Sequence, residues 1–229
     1  MSPFRGDARG YGFRSAPAKL AAALAALVLL AGAAAAEVRI LALGDSLTAG
    51  YGLPDGEGFV PRLQAWLAAN GAPDVVIVNG GVSGDTSAGG LARIDWALGD
   101  DIDGVIVELG ANDMLRGIDP AVTRENLDGI LDAIDARGLP AIVAGLPAPP
   151  NYPPDFRKAY KSMFRDLAKE HGAIYYSSFL AGLGQGRGIR EIMLLFQDDG
   201  LHPNAEGVQA IVDHIGPVVL RLVAEARAP

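Results

Sequence analysis

Ser46 stands in a glycine-bounded turn, "LALGDSLTAGYG" over 41–52, directly after an apolar run. A serine so placed serves as a nucleophile, as part of a phosphate cradle, or as a turn hydrogen bond. No lysine follows the turn, and neither glycine-rich phosphate-binding pattern is present. Thr48 occupies the place of the second glycine in a Gly-x-Ser-x-Gly elbow, so that arrangement is absent too.

A serine nucleophile needs a base to take its proton. The chain offers three histidines. His171 ends a helical stretch before Gly172, where an imidazole satisfies terminal carbonyls. His214 lies inside the last apolar helical run and reads as structural. His202 sits in a polar turn, "QDDGLHPN", three residues after Asp199. That spacing brings a carboxylate to one ring nitrogen and leaves the other for Ser46. Asn204 is placed to cap the helix that follows. A solvated capping turn with an incidental histidine is the plainer alternative.

Acyl transfer also needs donors for the oxyanion. Gly84, in "GVSGDTS", can bring its backbone N–H close to a substrate. Asn112, in "ELGAND", supplies a side-chain amide, and the Ser46 N–H completes a set of three. An Asx turn is the other reading of Asn112. Asp45 and Asp113 are expected to brace their turns through local hydrogen bonds.

Short apolar runs at 38–43, 75–79, 104–110, 140–146 and 173–176 alternate with helical patterns. Helices are expected over 59–69, 87–98, 123–138 and 155–172, with a last one from about 204. Gly89 and Gly90 weaken the second of these, and Pro217 should kink the last. This alternation implies parallel strands covered on both faces. The expected fold is α/β, a three-layer α/β/α flavodoxin-like sandwich of about five parallel strands. Ligands then sit beyond the carboxyl ends of the strands, where the turns bearing Ser46, Gly84 and Asn112 converge with the segment 147–152.

Arg5, Arg9, Arg14 and Lys19 precede an apolar, small-residue run, Leu20 to Ala36. This pattern is expected to be a secretory signal peptide cleaved after Ala36, leaving residues 37–229 as one domain. A membrane anchor is the alternative, but the run is short for a span. There is no cysteine, so the exported fold stands on its core alone. Removing residues 1–36 takes away four basic and one acidic side chain, and the formal charge goes from −8 to −11. Such a surface argues against nucleic acid and anionic lipid as partners. No histidine pair has metal-ligand spacing, so no metal and no cofactor are expected.

The ordered blocks Gly44-Asp45-Ser46-Leu47, Gly84, Gly110-Ala111-Asn112-Asp113 and Asp199-Gly200-Leu201-His202-Pro203 resemble the four-block pattern of the SGNH, or GDSL, hydrolase family. The resemblance runs over nearly all of the chain after residue 36. It implies Ser46, Asp199 and His202 as the catalytic triad, with Ser46, Gly84 and Asn112 as the oxyanion hole. "GDSLTAGYG", "NGGVSGDTSAGGLARI", "VELGANDMLRGIDP" and "PPNY" are similar to a branch of exported hydrolases acting on acyl thioesters, aryl esters and lysophospholipids. That branch implies a periplasmic or secreted enzyme with a small acyl ester or thioester substrate and no stable membrane insertion after signal cleavage. A monomer is expected. "PPNY" resembles the branch's mobile loop, and five prolines between 147 and 154 imply a stiffer one here.

Tyr152 is the best single candidate for the acyl groove, and Leu115, Phe196, Met193 and Leu194 flank the catalytic turns as groove or core, with Leu115 and Phe196 taken as substrate-binding. Two other functions stay open at this stage. One is a carbohydrate O-deacetylase with the same catalytic residues, and the other is a non-catalytic binding module.

Overall fold

A computed structural model describes residues 37–228 of the chain. The expected signal peptide, residues 1–36, lies outside the described residues. Five strands, β1 (Val38–Gly44), β2 (Val75–Gly81), β3 (Gly104–Glu108), β4 (Ala141–Ala144) and β5 (Ile174–Tyr176), form one sheet. Every pairing is parallel and the order is β2-β1-β3-β4-β5. β3 is buried at each of its five positions, as a central strand covered on both faces must be.

The helices are α1 (Ser46–Ala49), α2 (Phe59–Ala69), α3 (Ser87–Leu98), α4 (Ala111–Leu115), α5 (Pro120–Asp135), α6 (Pro154–Glu170), α7 (Ile189–Met193) and α8 (Ala205–Ala226). α2 packs against α8, while α3, α5 and α6 pack in series, which makes the two helical layers. α6 shows why the pattern works: Tyr160, Met163, Phe164 and Leu167 fall at intervals of three and four, and all are buried. α8 is apolar and long enough to cross a membrane by length and composition, but half of that window is buried in the fold.

Two helix expectations change. α3 keeps its regular form through Gly89 and Gly90, because Gly90 allows a close approach to Leu109, just past the end of β3. A Cβ there would lie 2.3 Å from Leu109 Cδ1. α8 runs unbroken through Pro217. Pro217 and Asp213, whose carbonyl loses its donor, are both exposed, so water replaces the missing bond while Ile215 and Val219 anchor the buried face.

The order of strands sets the site. The chain leaves β1 for β2 on one side and returns to β3 on the other, so the crevice between the ends of β1 and β3 is the switch point. Ser46 follows β1 and Asn112 follows β3, one on each side of it.

Candidate active site

Ser46 opens α1, whose N-cap is Asp45, and Asp45 Oδ1 accepts from the Leu47 N–H at 3.0 Å. His202 lies between α7 and α8. Its Nε2 accepts from Ser46 Oγ at 2.9 Å, and its Nδ1–H donates to Asp199 Oδ2 at 2.6 Å. The second Asp199 oxygen accepts the backbone N–H groups of Leu201 and His202 at 2.9 and 3.0 Å. The His202 amide and ring, then the Leu201 amide, hold the Asp199 carboxyl down to about 2. It is therefore an anion at any working pH, and it fixes the tautomer that presents a bare Nε2 to the serine. The Phe196–Pro203 bridge and the Asn204 cap on the Gly207 N–H, at 3.0 Å, hold this turn in place.

Gly84 sits in the turn after β2 with φ of +83°, a conformation that glycine adopts without strain. Arg116 donates to the Gly84 carbonyl at 2.7 Å, and Arg93 pairs with Asp85 at 2.8 Å. The glycine that carries the candidate donor is thus held through its own carbonyl and through the side chain of the next residue. Asn112 Nδ2 donates to Asp45 Oδ2 at 3.0 Å, which uses one of its two hydrogens and fixes the amide plane. Ser46, Gly84 and Asn112 line one cavity of about 750 Å³.

The walls of that cavity are mostly apolar. Leu47, Met114, Leu146 and Leu180 line it together with the expected Leu115, Tyr152 and Phe196. Leu115 is 57% exposed at its mouth. The Tyr152 hydroxyl donates to the Met114 carbonyl at 3.1 Å and its ring stacks on Phe156, so the proline-rich segment is tied to α4 and α6. Met193 and Leu194 are neither groove nor core. They are 53% and 75% exposed and stand outside the lining.

Other sequence expectations shift in detail. Asp113 does not brace its own turn; it is buried and accepts from the Ser87 N–H at 2.8 Å and the Ser87 hydroxyl, tying α4 to the start of α3. His171 does not use its ring on helix carbonyls, because Asp128 and Asp135 of α5 take both nitrogens. His214 accepts from the Tyr176 hydroxyl at 2.6 Å, a structural contact between α8 and β5. Tyr51 was not singled out from the sequence, although it lies in the serine block. Its ring packs on His202 with centroids 4.7 Å apart and screens one face of the imidazole.

The GDSL-like Lipase/Acylhydrolase family profile matches residues 42–210. Esterase TesA of Pseudomonas aeruginosa is 36% identical over 199 residues, covering 86% of this chain and 95% of that protein. Thioesterase 1/protease 1/lysophospholipase L1 of Escherichia coli K12 is 34% identical over 202 residues, with 86% and 90% covered. A solved structure of the psychrotrophic esterase EstA from Pseudoalteromonas, inhibited by monoethylphosphonate, superposes with a TM-score of 0.70 at 32% identity, covering 81% and 98% of the two chains. With a parallel sheet of the same kind and four sequence blocks meeting at its switch point, the chain belongs to the GDSL-like lipase/acylhydrolase family of hydrolases.

Proposed function

We propose that the chain is an exported serine esterase that cleaves carboxylic esters and acyl thioesters with an apolar acyl group, with Ser46, His202 and Asp199 as its triad. The observation that carries this reading is the 2.9 Å contact between His202 Nε2 and Ser46 Oγ, backed by Asp199, at the floor of a largely apolar cavity. His202 takes the Ser46 proton as Oγ bonds to the substrate carbonyl carbon. The oxyanion so formed lies against the Ser46 and Gly84 N–H groups and the second Asn112 amide hydrogen. Collapse breaks the bond to the alcohol or thiol, which leaves with the proton from His202. Water then loses a proton to His202 and attacks the acyl-enzyme; collapse releases the acid, and the proton passes from His202 to Ser46 Oγ, restoring both.

The apolar lining favours an acyl chain over the hydroxyl-rich face of a sugar, which sets the ester reading above the deacetylase reading. Aryl esters and single-chain phospholipids fall within the same chemistry. The basic segment and apolar run of residues 1–36 support a cleaved signal peptide and a periplasmic or secreted enzyme, with residues 37–229 as its one domain. The net acidic surface and the burial of α8 support a protein that works without a nucleic-acid partner or a stable membrane span.

The test is kcat/KM over p-nitrophenyl esters and acyl thioesters of rising chain length. Each methylene that enters the cavity should raise kcat/KM about fourfold, until the cavity is filled. Equal or faster turnover of acetylated sugars would contradict this assignment.

A further inference from the structure

Beneath the nucleophile turn lies a carboxyl group that the mechanism above does not use. Glu108 ends β3 and is fully buried. It pairs in register with Gly44, the last residue of β1, where a Cβ would lie 2.7 Å from Glu108 Oε2 and 2.1 Å from Thr48 Oγ1. The missing side chain at Gly44 is what lets the carboxyl reach under α1. There Glu108 Oε2 lies 2.8 Å from the Thr48 hydroxyl and accepts the Asp45 N–H at a long 3.4 Å. Its Oε1 is buried with no partner.

The charged neighbours limit what this carboxyl can be. Asp45 lies beside it; burial raises the Asp45 carboxyl too, and the Leu47 N–H, the Asn112 amide and the His202 ring pull it back down. Arg93 of α3 spends its guanidinium on Asp85 and on the Gly44 carbonyl at 3.1 Å. Among the described residues no cation pairs with Glu108. An ionised carboxylate with one orphaned oxygen and no cation, walled off from water, is costly, whereas a neutral acid leaves only a polar oxygen unpaired. Asp45 differs, since each of its oxygens accepts a donor, the Leu47 N–H on one and the Asn112 amide on the other. Two adjacent buried carboxyls share one negative charge, and the donors favour Asp45 as its site. Burial, and after it the Asp45 charge, push the Glu108 carboxyl well above the usual range.

We propose that Glu108 is a positioning residue held as a neutral carboxylic acid, whose contacts with Thr48 and the Asp45 amide seat the nucleophile turn while leaving Asp45 ionised to aim the Asn112 amide at the oxyanion. The role rests on the reading of Ser46 and Asn112 given above. It differs from structural support alone, because a shift of the α1 turn displaces Ser46 Oγ and Asn112 together and so acts on the transition state rather than on substrate binding. Removing the acid should lower kcat with little change in KM, and an amide of the same shape should restore most of it.

The experiment compares the full chain with Glu108→Ala and Glu108→Gln, using a p-nitrophenyl ester. Glu108→Ala is expected to lose about 10- to 100-fold in kcat, the scale of a small misplacement of reacting groups, with KM near the original. Glu108→Gln is expected to recover kcat to within about threefold of the unaltered chain, since it keeps a neutral group with an acceptor oxygen. A difference infrared spectrum, unaltered chain minus Glu108→Gln at neutral pH, should show a carboxylic-acid C=O band. Loss of that band, or a Gln variant as impaired as the Ala variant, overturns the neutral-acid assignment. A folded Ala variant of full kcat and lowered Tm overturns the positioning role. Should Glu108→Gln not fold, the Ala variant serves for the same difference spectrum. Phosphonate labelling of Ser46 in the unaltered chain is run alongside, and its failure would strike the serine mechanism itself and leave the infrared result standing.

Discussion

His202 and His171 share half of their surroundings. Each has its Nδ1 against an aspartate, Asp199 at 2.6 Å for His202 and Asp135 at 2.7 Å for His171. The difference lies at Nε2. For His202 that atom meets the Ser46 hydroxyl at 2.9 Å, and for His171 it meets a second carboxylate, Asp128, at 2.8 Å. A ring between two carboxylates satisfies both only as the imidazolium, with a proton on each nitrogen. Burial lowers the His171 pKa, but the hydrogen bonds to Asp128 and Asp135 outweigh it and leave the group raised. A ring between a carboxylate and a hydroxyl can instead stay neutral with a lone pair aimed at the serine proton. One histidine is therefore a cationic tie between α5 and α6, and the other is a base.

The largest effect should come from removing the base. His202→Asn is expected to lower kcat/KM on a p-nitrophenyl ester by about 10⁴-fold or more, while His171→Asn leaves it within about twofold. A comparable loss in both variants would erase the contrast. Next in size is the anion behind the base. Asp199→Asn should lower kcat by about a thousandfold, because the amide cannot favour the productive tautomer or the imidazolium. Since Asp199 is held down to about 2, activity lost on mild acidification does not come from protonation of this carboxylate. Asp199 itself should add no inflection to the pH–rate profile above about pH 3.

The smallest effect concerns stability. A group whose folded pKa is raised stabilises fully below its ordinary value, and the contribution fades as pH rises through the folded value. Tm should therefore drop as pH climbs past the ordinary histidine range, and His171→Gln should flatten that slope. With Asp128 and Asp135 partly exposed, the stabilisation lost is about 1 kcal/mol. Thermal melts of the two proteins across pH read it, and kcat should not change. An identical slope in both would show that His171 carries no charge-linked stability.

Much of the site was legible because its parts sit in short blocks at strand ends. Ser46 and His202 are 156 positions apart, yet each is marked by its own turn, and a chain with three histidines leaves little choice of base. The strands were legible for the same local reason, as short apolar runs, four of the five with a glycine at or just after their ends. What stayed hidden depends on which side chains meet across distance. The carboxylates that hold His171 lie 36 and 43 positions away on another helix, so its position at a helix end suggested a different partner. Asp113 looked like a turn residue until β3 and α3 brought Ser87 to it. Glu108 reads as one polar residue in "GVIVELG", and nothing in that run shows that Gly44 opens a space for its carboxyl. Pro217 misled because its cost depends on whether the freed carbonyl faces water.

The central claim is that Ser46 is the acyl-accepting nucleophile and His202 its base, and an organophosphonate tests it most directly. Incubation of the folded chain with a p-nitrophenyl phosphonate, followed by peptide mass analysis, should place one adduct per chain on Ser46. Ser46→Ala should take no label, and His202→Asn should label at least about a hundredfold more slowly. A folded, unaltered chain that takes no label, or carries it on another residue, would contradict the account.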